Sequence, residues 1–205
     1  MLFRSQFWPF FEAINDLDIP VIVHSDGLTP FQKGMIGADR LRFRGGPFVF
    51  GDQCLWWMLG HGFEHMATIA RLVYSGMLDA FPNLKFIFEE ANVGYAIYLF
   101  DRLEEGWWFM EQFGQGTRIH TTDKKPMEYL ERFHWGVEPE DSLLREVIRR
   151  WGADRILYTS DYPHGDTPWP DSVKEMRETM EPFTEEDRQK VFGGNAQRLL
   201  KIPVE

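Results

Sequence analysis

An α/β fold built on parallel strands is predicted by three features of the sequence. Short β-favouring runs alternate with longer stretches whose apolar residues recur at helical spacing, as in successive βαβ units. Four such units begin near Pro20, Leu84, Leu130 and Ile156, with no internal repeat, low-complexity tract or flexible linker between them. Three of the strands also stop abruptly at a polar side chain: Val21-Ile22-Val23 at His24, Leu84 to Phe88 at Glu89-Glu90, and Ile156 to Ser160 at Asp161. A strand that delivers one carboxylate or imidazole and then turns away is how sheet and barrel enzymes place functional groups.

The 205 residues carry a formal net charge of -10 and an aromatic content of 16%, enough for a substantial core in one domain or part of a larger one. An acidic chain has the wrong sign for phosphate backbones, so nucleic acid is not expected as a partner. No apolar run approaches the roughly 20 residues that span a bilayer, so no membrane partner is expected. The Trp56-Trp57 and Trp107-Trp108 pairs are better read as core or pocket wall. Cys54 is the sole cysteine, which rules out an internal disulfide and a thiolate metal cluster. A cytoplasmic location and a small-molecule substrate are the simplest expectations.

Each element follows from local pattern. Phe7, Phe10, Phe11, Ile14 and Leu17 mark a helix over Phe7 to Asp18, broken by Asp18-Ile19-Pro20 before the first strand. Residues 28–53, with three glycine clusters and Arg40, Arg42 and Arg44, read as a long loop. Its arginines either hold an acidic substrate or form a solvated face. Cys54 to Ser75 is helical, and Gly76 suits its end. His61 and His65 lie four apart on it, a spacing that can bind metal, although the adjacent glutamate of a zinc-protease motif is missing. After the turn Phe81-Pro82-Asn83, alternation in the next strand puts Phe86, Phe88 and Glu90 on one face and Lys85, Ile87 and Glu89 on the other. We expect the first set to face inward. Ala91 to Phe113 is an aromatic-rich helix, Gly114 to Pro126 a polar loop, and Phe133 to Val137 a strand. Asp141 to Trp151 is an amphipathic helix ended by Gly152. Ser172 to Met180 and Glu185 to Leu200 are the last helices, the second N-capped by Thr184.

The candidate site residues each have a plainer role open to them. An aspartate after a strand often only opens a turn, and a lone histidine there is more often structural than ligating. Their recurrence at three strand ends favours a shared site.

Val21-Ile22-Val23-His24, Ser75-Gly76-Met77, Phe81-Pro82-Asn83-Leu84 through Glu90, Gly152 through His164, and Gly194-Asn195-Ala196-Gln197-Arg198-Leu199-Leu200 occur in an order that resembles the amidohydrolase-2 family. Its members include aminocarboxymuconate-semialdehyde and resorcylate-type decarboxylases and many metal-dependent hydrolases. The resemblance implies a (β/α)8 TIM barrel with one divalent metal, zinc or alternatively manganese, at the C-terminal mouth of the strands. His24 matches the strand-five histidine ligand and Asp161 the strand-eight aspartate. His164 and Asp166, just beyond Asp161, are candidates for substrate or supporting contacts around that site. Glu90 stands where the decarboxylases have a catalytic histidine, so it is the candidate base or substrate contact, and Asp161 shares the catalytic role. The first-strand motif, His-x-His or Glu-x-His, has no counterpart before His24, and a full barrel takes typically about 250 residues. The chain is therefore expected to be strands five to eight of a partial barrel. It would act in a hydrolase or decarboxylase on a small aromatic or carboxylated substrate. The alternative is an inactive half-barrel that serves as a binding or assembly module. An open strand edge would favour homo-oligomers.

Overall fold

The computed structural model describes residues 5–24, 56–113, 124–165 and 167–203. The loop arginines, Cys54 and Asp166 lie outside the described residues, as does most of the loop after the aromatic-rich helix.

Helix α1 (Trp8–Leu17) ends where Asp18 turns left-handed at φ 48°, and strand β1 (Val21–Val23) follows. A π-helical turn, Trp56–Gly60, leads into α2 (His61–Tyr74), and Gly76, at φ 74°, separates it from the short α3 (Met77–Ala80). Strand β2 (Phe86–Phe88), α4 (Gly94–Phe113), β3 (Phe133–Val137), α5 (Leu144–Trp151) and β4 (Ile156–Tyr158) complete the alternation. Helix α6 (Ser172–Met180) precedes a tail expected as one helix. It is instead α7 (Glu185–Gln189), a π-helical stretch Lys190–Gly194, and α8 (Asn195–Leu200). The break falls at the Gly193-Gly194 pair, where helix propensity is poorest. Thr184 caps α7 as its sequence predicts, its hydroxyl accepting the Asp187 N–H at 3.1 Å.

The four strands form one parallel sheet in the order β1-β2-β3-β4, so each crossover must pass through a helix. The pairings Ile22 with Ile87, Ile87 with His134, and Gly136 with Leu157 place these residues on one face. The opposite face, Phe86, Phe88, Phe133, Trp135, Val137 and Ile156, joins α2, α4 and α5 in the main core. Phe100 of α4 wedges between Phe133 and Trp151, at ring separations of 5.8 and 5.7 Å. On the first face Ile87 and Leu157 meet only Leu199 and Ala196, and Ile22 is 61% exposed. Helices α2, α4 and α5 thus cover one side of the sheet; on the other, Ile87 and Leu157 are buried under Leu199 and Ala196 of α8, and Ile22 on the edge strand β1 stands exposed.

The terminal Asn-Ala-x-Arg-Leu segment locks β4 in place. Asn195 is fully buried, and its amide donates to the Ala153 and Ile156 carbonyls at 2.7 and 2.8 Å. Replacing Asn195 by alanine removes both bonds; the Ala153 carbonyl still accepts the Ile156 N–H at 3.2 Å, and the Ile156 carbonyl loses its Asn195 donor at a cost of about 1–3 kcal/mol if water cannot reach it. Asn195→Ala should accordingly lower the urea midpoint of unfolding clearly, whereas Gln197→Ala, exposed on the same helix, should leave it unchanged.

Candidate metal centre

Parallel strands end on the same side of their sheet, so the residues after β1, β2 and β4 gather at one rim. His24 Nε2 lies 2.8 Å from Glu90 Oε1, and a Glu90 carboxylate oxygen comes within 4.8 Å of one from Asp161. Asp161 Oδ2 is 2.9 Å from His164 Nδ1. The result is a continuous file of imidazole, carboxyl, carboxyl and imidazole. Ligand atoms of Glu90, Asp161 and His164 all lie within 4.8 Å of one another. His24 therefore reaches Asp161 through Glu90.

The backbone makes this convergence. Glu90 and Asp161 both adopt left-handed conformations, φ 61° and 52°. For residues other than glycine this costs roughly 1 kcal/mol, less for aspartate. After Asp161 the chain turns on a bond from the His164 N–H to the Asp161 carbonyl at 2.9 Å, and the Thr167 hydroxyl ties down the Ser160 carbonyl.

The left-handed turn at Glu90 also corrects the expected facing of β2. Phe86 and Phe88 point into the helix-packed core, not inward. Glu89 lies on the other face, over Gly136: a Cβ built on Gly136 would come within 1.7 Å of the Glu89 carboxylate. Had the strand continued regularly, Glu90 would have followed Phe88 toward the helices. Its positive φ swings it back to the rim, so Glu89 and Glu90 both serve the same end of the sheet. Sequence reasoning missed Glu89 because it took the face of Phe86 and Phe88 as the inward one and carried strict alternation one residue too far, to Glu90. Gly136, the one residue without a side chain in an otherwise bulky β3, was the available signal.

The rim opens into a cleft of about 880 Å³, bounded by His61, Met66, Tyr95, Glu138 and Glu140 as well as Glu90, Asp161 and His164. The two helical histidines part company here. His61 faces the cleft with its ring 6.2 Å from that of His24. His65 is 1% exposed and packs on Phe88, its Nδ1 3.2 Å from the Tyr95 hydroxyl, which accepts from Trp135 Nε1 at 3.0 Å. Burial, then the nearby His61 and His24, pushes the His65 pKa down to about 3, so it is a neutral core residue. Burial likewise lowers His61.

Burial holds Asp161 above the usual carboxylate range, with the His164 hydrogen bond opposing it and Glu90 reinforcing it. Two carboxyl groups this close must share a proton or hold a cation between them. Flanked by imidazoles, they make a mixed nitrogen and oxygen donor set, the kind that suits zinc or manganese. The residues present thus fit a divalent cation.

Burial, with Glu90 second, pushes Glu89 up to about 7. Below the ordinary carboxylate pKa both folded and unfolded chains hold the proton, so nothing is lost. As pH rises toward 7 the unfolded chain ionises freely while the folded chain resists, and stability falls. Glu89→Gln should therefore raise the melting temperature of the metal-free chain more at pH 8 than at pH 5. Equal gains at both pH values would show that Glu89 carries no such penalty.

The family described as Amidohydrolase matches residues 1–202. The gamma-resorcylate decarboxylase of Polaromonas sp. (strain JS666 / ATCC BAA-500) is 28% identical over 208 residues, covering 97% of this chain and 55% of that protein. The 2-amino-3-carboxymuconate-6-semialdehyde decarboxylase of Dictyostelium discoideum is 24% identical over 198 residues, covering 95% and 48%. Among solved structures, 5-carboxyvanillate decarboxylase from Sphingomonas paucimobilis superposes with a TM-score of 0.74 at 25% identity, over 98% of this chain and 55% of that one. Dihydroxybenzoic acid decarboxylase from Polaromonas sp. JS666, solved with bound manganese and 2-nitroresorcinol, gives a TM-score of 0.69 at 26% identity, over 100% and 56%. The chain spans about half the length of the curated relatives it matches.

Proposed function

The chain belongs to the amidohydrolase family, and from that premise we propose that it supplies strands five to eight of a (β/α)8 barrel. In this reading residues 1–205 are the C-terminal part of a metal-dependent decarboxylase of small aromatic carboxylates. The observation that carries it is the file His24–Glu90–Asp161–His164 at and just beyond the carboxyl ends of parallel strands, with Glu90, Asp161 and His164 lining one cleft. The resemblance to decarboxylases, one of them holding manganese, favours carbon–carbon cleavage over hydrolysis.

His24 and Asp161 would hold the cation, zinc or manganese, with further ligands from the rest of the barrel. When bound, such a cation neutralises and orients the oxygens of an anionic substrate. Glu90, between the two ligands, handles the proton. As the ring-to-carboxylate bond breaks and carbon dioxide leaves, the electron pair remaining on the ring carbon takes a proton from Glu90. His164 steadies Asp161 through their 2.9 Å contact and faces the cleft, where it meets the substrate, a role for which Asp166 is a candidate from its place in the sequence alone. His61 forms part of the wall beside His24.

Two protein ligands fall short of the three usual in catalytic zinc sites. Calorimetric titration of the chain alone with zinc or manganese should therefore show weak binding, lost in His24→Ala and Asp161→Asn. Tight one-to-one binding that survives both substitutions would overturn this ligand assignment. Assembled with a first half carrying the His-x-His or Glu-x-His strand, the protein should release carbon dioxide from 2,6-dihydroxybenzoate or a related acid. There Glu90→Gln should cut kcat by about 100-fold or more with a small change in KM. An unchanged kcat would remove Glu90 from the chemistry.

A second reading, a non-catalytic half that only assembles with another chain, is favoured by the exposed Ile22 on the edge strand β1. It predicts stable association without carbon dioxide release in the same assay.

A further inference from the structure

The opposite end of the sheet has its own polar cavity. It encloses about 370 Å³ where β2 and β4 begin, lined by Lys85, His134, Arg155, Arg198 and Lys201 with the acids Asp18, Glu131 and Asp154. Most of the charges are already matched. Asp18 takes both Lys85 and Lys201, Asp154 takes Lys190, and Glu131 lies 3.6 Å from Arg132. Arg155 and Arg198 are left over, each without a carboxylate within 4.0 Å among the described residues. Arg155 Nη1 donates to the Trp151 carbonyl at 3.0 Å, and Arg198 Nη2 to the Asp154 carbonyl at 2.7 Å.

Two buried polar atoms in this lining also lack a partner. Arg155 Nε is shut off from solvent with no hydrogen bond, and so is Nδ1 of His134. His134 is 4% exposed, on the same sheet face as Ile87. A guanidinium Nε–H can only donate, and buried polar atoms in folded proteins are nearly always satisfied. Two guanidiniums at one cavity, neither with a carboxylate partner among the described residues, suit an oxygen-rich anion, and the unsatisfied Arg155 Nε and His134 Nδ1 lie buried in the same lining.

We propose that this cavity is an oxyanion-binding site, distinct from the cleft at the other end of the sheet. Arg155 and Arg198 supply charge-assisted hydrogen bonds to a phosphate or carboxylate group, and His134 closes the floor. The site is independent of any metal at Glu90 and Asp161, so it is tested in the presence of a chelator.

Inorganic phosphate should be titrated calorimetrically into the chain, with sodium chloride holding the ionic strength constant, and acetate run as a parallel arm. One saturable site is expected. Arg198→Gln and Arg155→Gln should each weaken it about tenfold or more, while the exposed Lys174→Gln, with the same loss of charge, should stay within twofold. Should Arg155→Gln not fold, the exposed Arg198→Gln decides alone. Binding of phosphate alone, acetate alone, or both in competition identifies the oxyanion class. Absence of saturable binding in both arms, or arginine variants that bind as tightly as the parent, would overturn the proposal.

Discussion

Parallel pairing is the constraint on which everything else here depends. Once β1 to β4 run the same way, every crossover needs a helix, and every strand-ending residue comes out on one rim. The helices bury one face of the sheet through Phe86, Phe88, Phe133 and Trp135. The rim then holds His24, Glu90 and Asp161 within a connected file, although they are far apart in sequence. Nothing local to any one of these residues would bring them together. A histidine after three β-branched residues becomes part of a site because β2 pairs with its strand, Val23 beside Phe88, and β3 and β4 extend the same parallel sheet to Asp161.

The two rims differ in chemistry. At the carboxyl ends, carboxylates are crowded, and Glu89 and Asp161 are both harder to ionise than in water. At the amino ends, lysines and arginines gather, with Asp18 and Asp154 held below the ordinary range by their lysine partners. The strands thus separate a region suited to cations from one suited to anions, across a hydrophobic waist in which Ile87 and Leu157 are buried and Ile22 is exposed.

Much of this was legible in the sequence. The alternation of strand-like and helix-like runs gives the class, and β1, β3, α6 and the Thr184 cap fall close to where residue patterns put them. The strand-end positions of His24, Glu90 and Asp161 were legible too, since an acid or histidine after an apolar run is a local signal. What was not legible depends on the backbone leaving its ideal path. Period-two counting sent Glu90 to the same face as Phe86 and Phe88, and so guessed the wrong face as inward. The different fates of His61 and His65 were equally hidden, because helical spacing puts them on one side without saying that Tyr95 and Phe88 claim the second. The oxyanion cavity left no motif at all, being assembled from β2, β3, β4 and the C-terminal segment.

The left-handed turn at Glu90 also sets what could be transplanted. Copying His24, Glu90 and Asp161 onto three regular strands of another scaffold would aim the glutamate into that scaffold's helices, where burial would force it neutral or unfold the host. The portable unit is the strand end with its reversal of φ, including a residue such as Gly136 on the neighbouring strand to leave space for the carboxylate beneath. Designers who borrow this arrangement inherit a backbone, with the side chains following from it.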